Sequence, residues 1–188
     1  GLSKLCFENL LALYDREQGI RSISLRYFNA AGAALDGGHG EVHVPELHII
    51  PNAIAAALDP KKEFFLYGTD YPTPDGTCIR DYIHIEDICR AHLVTLSALT
   101  RGHSSAAYNV GTGEGISNRQ VIETVKKVSG VDFAVLEKGR RPGDPAVLIA
   151  DCTKLTQEFG WKPEHSDIES IVESAWKWHK NHPEGYAR

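Results

Sequence analysis

The sequence predicts an α/β fold, on three observations. Segments with apolar residues at a helical period interleave with short runs that alternate apolar and polar at the period of a strand. Hydrophobic residues make up 42% of the 188 positions and charged residues 24%, enough to bury a sizeable core in one large domain or one and a half. No repeat, low-complexity tract or clear linker divides the chain.

The elements follow in order. Leu2, Leu5, Cys6, Asn9 and Leu13 fall near a 3.6 period, so the chain opens as the middle of an amphipathic helix over 1–18, stopped by Gly19. In "RSISLRYFNAAG", Ile23, Leu25 and Tyr27 alternate with Ser22, Ser24 and Arg26, which makes a strand that turns at Gly32. "GAALDGGHGEVHVPEL" is a loop, and "HIIPNAIAAALDP" is a short helix closed by Pro60. "EFFLYG" and "CIRDYIHI" are strands around the turn segment "TDYPTPDGT", and a helix starts at Glu86 or Asp87 and runs through Leu99. "AAYNVG" is a strand. Ser117 and Gln120 form a capping box before "VIETVKKVSG". "DFAVLEK" is a strand, "GRRPGDPA" a loop and "TKLTQEFG" a short helix. Ser166 and Glu169 form a second capping box before a last helix that stops near Pro183.

A formal charge of −5 with no long Lys/Arg run argues against nucleic acid or an anionic membrane as partner. The cysteines Cys6, Cys78, Cys89 and Cys152 form no C-x-x-C pair, so a metal or redox centre lacks its spacing, and scattered thiols suit a reducing cytoplasm. No apolar run approaches the ~18 residues of a membrane span.

Four stretches could carry chemistry. "YNVGTGEGIS" sits between strand and helix, but its third glycine arrives one residue early for a dinucleotide fingerprint, so it reads as a plain turn. His39, His43 and His48, with Glu41 and Glu46, could bind zinc. The segment is not one helix, however, so no common face collects the ligands and no metal is expected. "CIRDYIH" places Arg80 beside Asp81 in a strand, where one must point inward. A buried arginine then needs an anion, either an internal carboxylate or a bound phosphate. "GRRPGDP" offers Arg140, Arg141 and Asp144 on a stiff loop whose guanidinium forks suit a diphosphate or stay solvated. Arg80 and the arginine pair together favour the diphosphate.

"GLSK", "LRYFN", "YGTDYPTPDGTCIRDYIHIEDICRAH", "YNVGTG", "GRRPGDPA" and "HPEGY" closely resemble the UDP-glucose 4-epimerase (UDP-galactose 4-epimerase) family of extended short-chain dehydrogenases/reductases, over essentially the whole chain. The resemblance implies a Rossmann-type, doubly wound parallel sheet joined to a smaller substrate domain. Residues 1–30 would be the last helix and strand of the NAD-binding domain. Residues 31–188 would be mainly the UDP-sugar-binding domain, with some segments returning to the first. It also implies that Lys4 is the lysine of a Tyr-x-x-x-Lys pair. Its tyrosine would immediately precede Gly1, so the chain is expected to be a C-terminal portion, inactive alone and prone to poor solubility or unusual assembly.

In such enzymes bound NAD takes a hydride from C4 of the sugar, a tyrosinate accepts the O4 proton, and hydride returns to the other face of the 4-keto sugar. By the same resemblance Lys4 acts on that tyrosine and on the nicotinamide ribose, and Tyr27 and Phe28 lie on the cofactor side. Asn29 contacts the substrate, Arg80 and Arg141 bind the diphosphate, Asp144 binds the uridine ribose, and Phe65 and Tyr67 line the uracil site. His48 and Ile49 stand where many relatives carry an asparagine–leucine pair over uridine. Leu148 falls at the wall that sorts plain from N-acetylated sugars and leans towards UDP-glucose and UDP-galactose. A sibling 4-epimerase of UDP-N-acetylhexosamine or UDP-pentose, or a non-catalytic UDP-sugar-binding module, are the alternatives. The family implies a homodimer, partly through the helix of Lys4.

Overall fold

A computed structural model of the chain describes residues 1–186. Helix α1 (Leu2–Gln18) closes at Gly19, whose φ of 67° lies in the left-handed region that glycine enters without strain. β1 (Ile23–Tyr27) and β2 (Asn29–Ala31) follow, then α2 (Ile49–Leu58), β3 (Phe64–Tyr67), β4 (Ile79–Arg80), β5 (Tyr82–His84) and α3 (Ile85–Thr100). β6 (Ala106–Val110), β7 (Ile116–Ser117), α4 (Asn118–Ser129), β8 (Val135–Lys138), β9 (Val147–Leu148), α5 (Thr153–Phe159) and α6 (Ile168–Asn181) complete the order.

The strands pair β1 with β6, β2 with β5 and β3 with β8, each parallel, and β4 lies between antiparallel β7 and parallel β9. Parallel neighbours require crossovers, which the helices supply. The α/β expectation therefore holds. Segment 106–110 returns to lie beside β1, with Ile23 opposite Ala106 and Tyr27 opposite Val110.

Among the described residues, two apolar clusters hold the chain together. Ile50, Ile54, Val121, Ile122, Val125, Ile171 and Val172 pack α2, α4 and α6 against β3. Ile83, Ile88, Tyr108, Val110, Leu155 and Trp161 fill the space between α3, α5 and the β1–β6 pair. Each fully buried side chain of this size contributes roughly 1.5–3 kcal/mol. α1 buries none of its residues, and Leu2, Leu5, Phe7, Leu10 and Leu13 are exposed. The Arg26 guanidinium on β1 donates to Glu8 on α1 and ties the helix to the strand.

Several elements differ from their sequence reading. "RSISLRYFNAAG" is two strands, β1 and β2, broken at Phe28 and paired with β6 and β5 respectively. "CIRDYIHI" is two strands: the chain breaks at Asp81, whose carboxylate takes hydrogen bonds from outside the ladder. β7 and β9 were not foreseen, because two-residue strands carry no period. The last helix is capped by Asp167, which accepts from the Ser170 amide at 2.9 Å. Ser166 instead accepts from the His84 amide at 2.9 Å and donates to Asp87 at 2.6 Å, so no Ser166–Glu169 box forms.

The Ser117–Gln120 box is present, with reciprocal bonds of 3.1 and 2.8 Å. Ser117→Ala is expected to cost about 1–2 kcal/mol, read as a lower urea midpoint at unchanged slope.

His84 is fully buried. Its Nδ1 accepts from the Glu86 amide at 3.1 Å, so its Nε2–H faces the Ser174 hydroxyl at 3.0 Å and the ring is neutral. Burial lowers its pKa below the ordinary 6.5, outweighing the nearby carboxylates of Asp87 and Glu86. The unfolded chain then binds the extra proton more readily than the folded one. The stabilisation is complete above the unfolded pKa and is lost as pH falls below it. The urea midpoint should fall between pH 7.5 and 5.5. Burial opposes ionisation of Asp87, but Ser166, the Glu164 and His165 amides and Arg90 hold it below the carboxylate range, so its loss comes in more acidic solution.

Candidate functional site

The site is assembled from short strands that sequence periodicity scarcely marks. In β3, Phe64 and Leu66 point into the core, which leaves Phe65 and Tyr67 on the opposite, half-buried face. β4 and β9 run in register with Arg80 beside Leu148. The loop between β8 and β9 brings Arg141 and Asp144 back over the same face. These groups surround one cavity of about 800 Å³. Its walls include Tyr27, Phe28 and Asn29 from the β1–β2 junction, His48 and Ile49 from the start of α2, and Phe65, Tyr67, Arg80, Arg141, Asp144 and Leu148. Lys4 is exposed on α1 and is not among the lining residues.

Arg80 is 8% exposed, and its Nη2 lies 2.5 Å from Asp144 Oδ1 while Nη1 donates to the Ile79 carbonyl at 2.7 Å. The other Asp144 oxygen takes a long contact, 3.7 Å, from Cys78 Sγ. A buried guanidinium thus has its anion, and both groups face the cavity. Arg141 stacks over the Tyr67 ring at 4.2 Å, which fixes its plane without satisfying its charge. The neighbouring Arg140 turns away to Asp70, donating to its carboxylate at 2.8 Å and to its carbonyl at 2.5 Å. The pair in "GRRPGDP" is therefore divided, one arginine to the cavity and one to the surface.

Asp81 explains why the glycine-rich segment is a turn. Its carboxylate, fully buried, accepts from Thr112 N and Oγ1, both at 2.8 Å, from Gly113 N at 2.9 Å and from Ala150 N at 3.1 Å. The amides that would cradle a pyrophosphate are occupied by this internal anion. A Cβ at Gly111 would lie 2.6 Å from Asp81 Oδ2, so only glycine admits the approach.

Several lining residues escaped the sequence reading. Cys78, Tyr82, Trp178 and His179 face the cavity, the last two because α6 returns across its far end. Burial lowers the His179 pKa, so the ring meets the cavity neutral at ordinary pH. Glu41 and Glu46 also line the wall, and burial and then the Glu46 charge raise the Glu41 pKa, against the pull of His48 and His43. The histidine segment is a loop, as its glycines and proline predict, yet it gathers two of the three histidines: one donor atom each from His43, Glu46 and His48 lies within 4.8 Å of the others, and His39 is not among them. The loop folds back at Pro45, so nearness comes from a turn and not from a helix. Tyr27 Oη reaches His92 on α3 at 3.0 Å, a partner with no sequence signal.

No described helix is long and apolar enough to cross a membrane.

The sequence model for the NAD dependent epimerase/dehydratase family matches residues 1–111. The UDP-glucose 4-epimerase of Lactobacillus helveticus is 44% identical over 186 residues, 99% of this chain and 56% of that protein. A crystal structure of UDP-glucose 4-epimerase superposes with a TM-score of 0.94 at 41% identity, over 98% of this chain and 56% of the other. The Bifidobacterium longum UDP-glucose 4-epimerase, crystallised with NAD+ and UDP, gives 0.86 at 35% identity over 98% of this chain and 55% of that one. The chain thus spans about half the length of the relatives it matches. Its parallel strand pairs with flanking helices are those of a Rossmann-type extended short-chain dehydrogenase/reductase. On the family match and these likenesses, the chain belongs to the NAD dependent epimerase/dehydratase family.

Proposed function

We propose that this chain carries the UDP-sugar site of an NAD-dependent UDP-hexose 4-epimerase that interconverts UDP-glucose and UDP-galactose. The observation that carries this reading is the convergence of Arg80, Arg141 and Asp144 on one cavity walled by Phe65 and Tyr67. Two guanidinium groups, one buried and one stacked on a ring, match the geometry and charge of a diphosphate. The Asp144 carboxylate can accept ribose hydroxyls once Arg80 turns to phosphate. The rings of Phe65 and Tyr67 offer flat apolar faces to a pyrimidine. His48 and Ile49 close the loop side, and Asn29 stands towards the sugar.

NAD fits the chain in part. Tyr27 and Phe28 offer the nicotinamide end a wall of the cavity, and Lys4 would act from α1. The glycine-rich turn gives no pyrophosphate cradle, because Asp81 holds its amides. When bound, the cofactor supplies reversible hydride acceptance. The residues here bind and orient the nucleotide so that remote binding energy keeps the sugar in place while it turns.

A second reading, a 4-epimerase of UDP-N-acetylhexosamine or UDP-pentose, is favoured by Leu148, a mid-sized side chain exposed at the cavity wall beside Arg80. Leu148→Tyr should lower turnover of the N-acetylated sugar relative to UDP-glucose by about 10-fold, because added bulk is worth ~1–3 kcal/mol in a pocket. Competing-substrate rates measure it.

A homodimer is supported by the exposed apolar side chains of α1, and a cytoplasmic setting by free thiols at all four cysteines. The function is tested by supplying this chain with the N-terminal half of a matched relative and following UDP-galactose. Conversion to UDP-glucose without net NADH supports epimerisation. NADH formed in step with sugar consumed would make it a dehydrogenase, and UDP binding without turnover would leave a binding module.

A further inference from the structure

His48 Nδ1 is shared by two carboxylates. Glu41 Oε1 lies 2.7 Å away and Glu46 Oε1 2.9 Å away, so three donor atoms face one point. His43 stands beside them, its ring centroid 5.5 Å from that of His48, and its donor atom belongs to the same 4.8 Å group. Glu46 is held in place by the Leu47 and His48 amides, both at 2.7 Å, so its carboxylate does not swing freely. Among the described residues this is the group whose donor atoms meet metal-ligand spacing.

We propose that His43, Glu46 and His48 bind a divalent transition metal ion of the zinc type. Two imidazoles and one carboxylate are the borderline donors such an ion selects over calcium or magnesium, and three protein ligands leave a position open. Glu41 balances the remaining charge. The ligands come from the loop over 41–48, whose Glu41, Glu46 and His48 line the cavity. A bound ion would pin that loop at the cavity mouth.

The test uses the chain as purified, stripped with chelator and dialysed, with Co2+ and Zn2+ alone as the ligands. One equivalent of Co2+ should give visible d–d bands of a four- or five-coordinate site, and Zn2+ should displace it. His43→Ala and Glu46→Gln should each weaken binding at least 10-fold, while His39→Ala should leave it unchanged. His43 is exposed, so its loss should not disturb the melt, which is checked alongside. In the unsubstituted chain, substoichiometric Co2+ should shift the imidazole resonances of His43 and His48 before those of His39 and His103. No saturable binding, equal affinity in His43→Ala, or first shifts at His103 would overturn the site. Metal binding is read without nucleotide, so its failure leaves the UDP reading standing, and the reverse.

Discussion

Arg80→Ala should weaken UDP binding by about 100-fold, or ~2.7 kcal/mol, in calorimetry at fixed salt. The side chain is the more buried of the two cavity arginines, and Asp144 already holds it in place. Alanine removes the phosphate's buried cation and leaves Asp144 to repel the ligand, so both changes act in the same direction. Arg80→Lys should recover only part of the loss, because an ammonium supplies charge without the planar fork. Arg141→Ala should cost less, about 10-fold, since Arg141 is exposed and its charge is already shared with water. Equal losses for the two would mean that burial does not set the strength of these contacts.

Asp81→Asn should lower stability by about 3 kcal/mol or more, a drop in melting temperature of roughly 6–12 °C for a chain of this size. The carboxylate accepts four hydrogen bonds and is fully buried. An asparagine amide must aim its NH2 at one set of donors, so two or more of the Thr112, Gly113 and Ala150 groups lose their acceptor. The change should also reach the cavity, because Asp81 joins the Arg80 strand to the turn before β7. A loss under about 1 kcal/mol in urea would show that the turn stands without it.

These two neighbours show where sequence reading succeeds and where it stops. Arg80 beside Asp81 predicts one inward charge, by the alternation of a strand. In fact both are buried, because the strand breaks between β4 and β5 and the two side chains serve different anion and donor sets. The long helices were legible because α4 and α6 repeat their apolar face over several turns, and the Ser117–Gln120 box states its own start. The Ser166–Glu169 spacing makes the same statement, but tertiary bonds from His84 and Asp87 claim the Ser166 hydroxyl first. Local spacing cannot rank a cap against a long-range partner.

The cavity was legible through resemblance more than through pattern. Arg141 and Arg140 are adjacent and chemically alike, and only the positions of Tyr67 and Asp70 decide which one faces inward. Trp178 and His179 lie far along the chain from the cavity loops, and no local signal connects them. In the segment of His39, His43 and His48, with Glu41 and Glu46, no helical face is legible, whereas a loop bending at 44–45 brings His43, Glu46 and His48 together.

Titrating the chain with UDP and with uridine, side by side, tests the central claim that two arginines and a carboxylate form a diphosphate-binding nucleotide site. The account predicts that UDP binds at least 100-fold more tightly than uridine and loses affinity as salt rises. Equal affinities, or binding of neither, would contradict it.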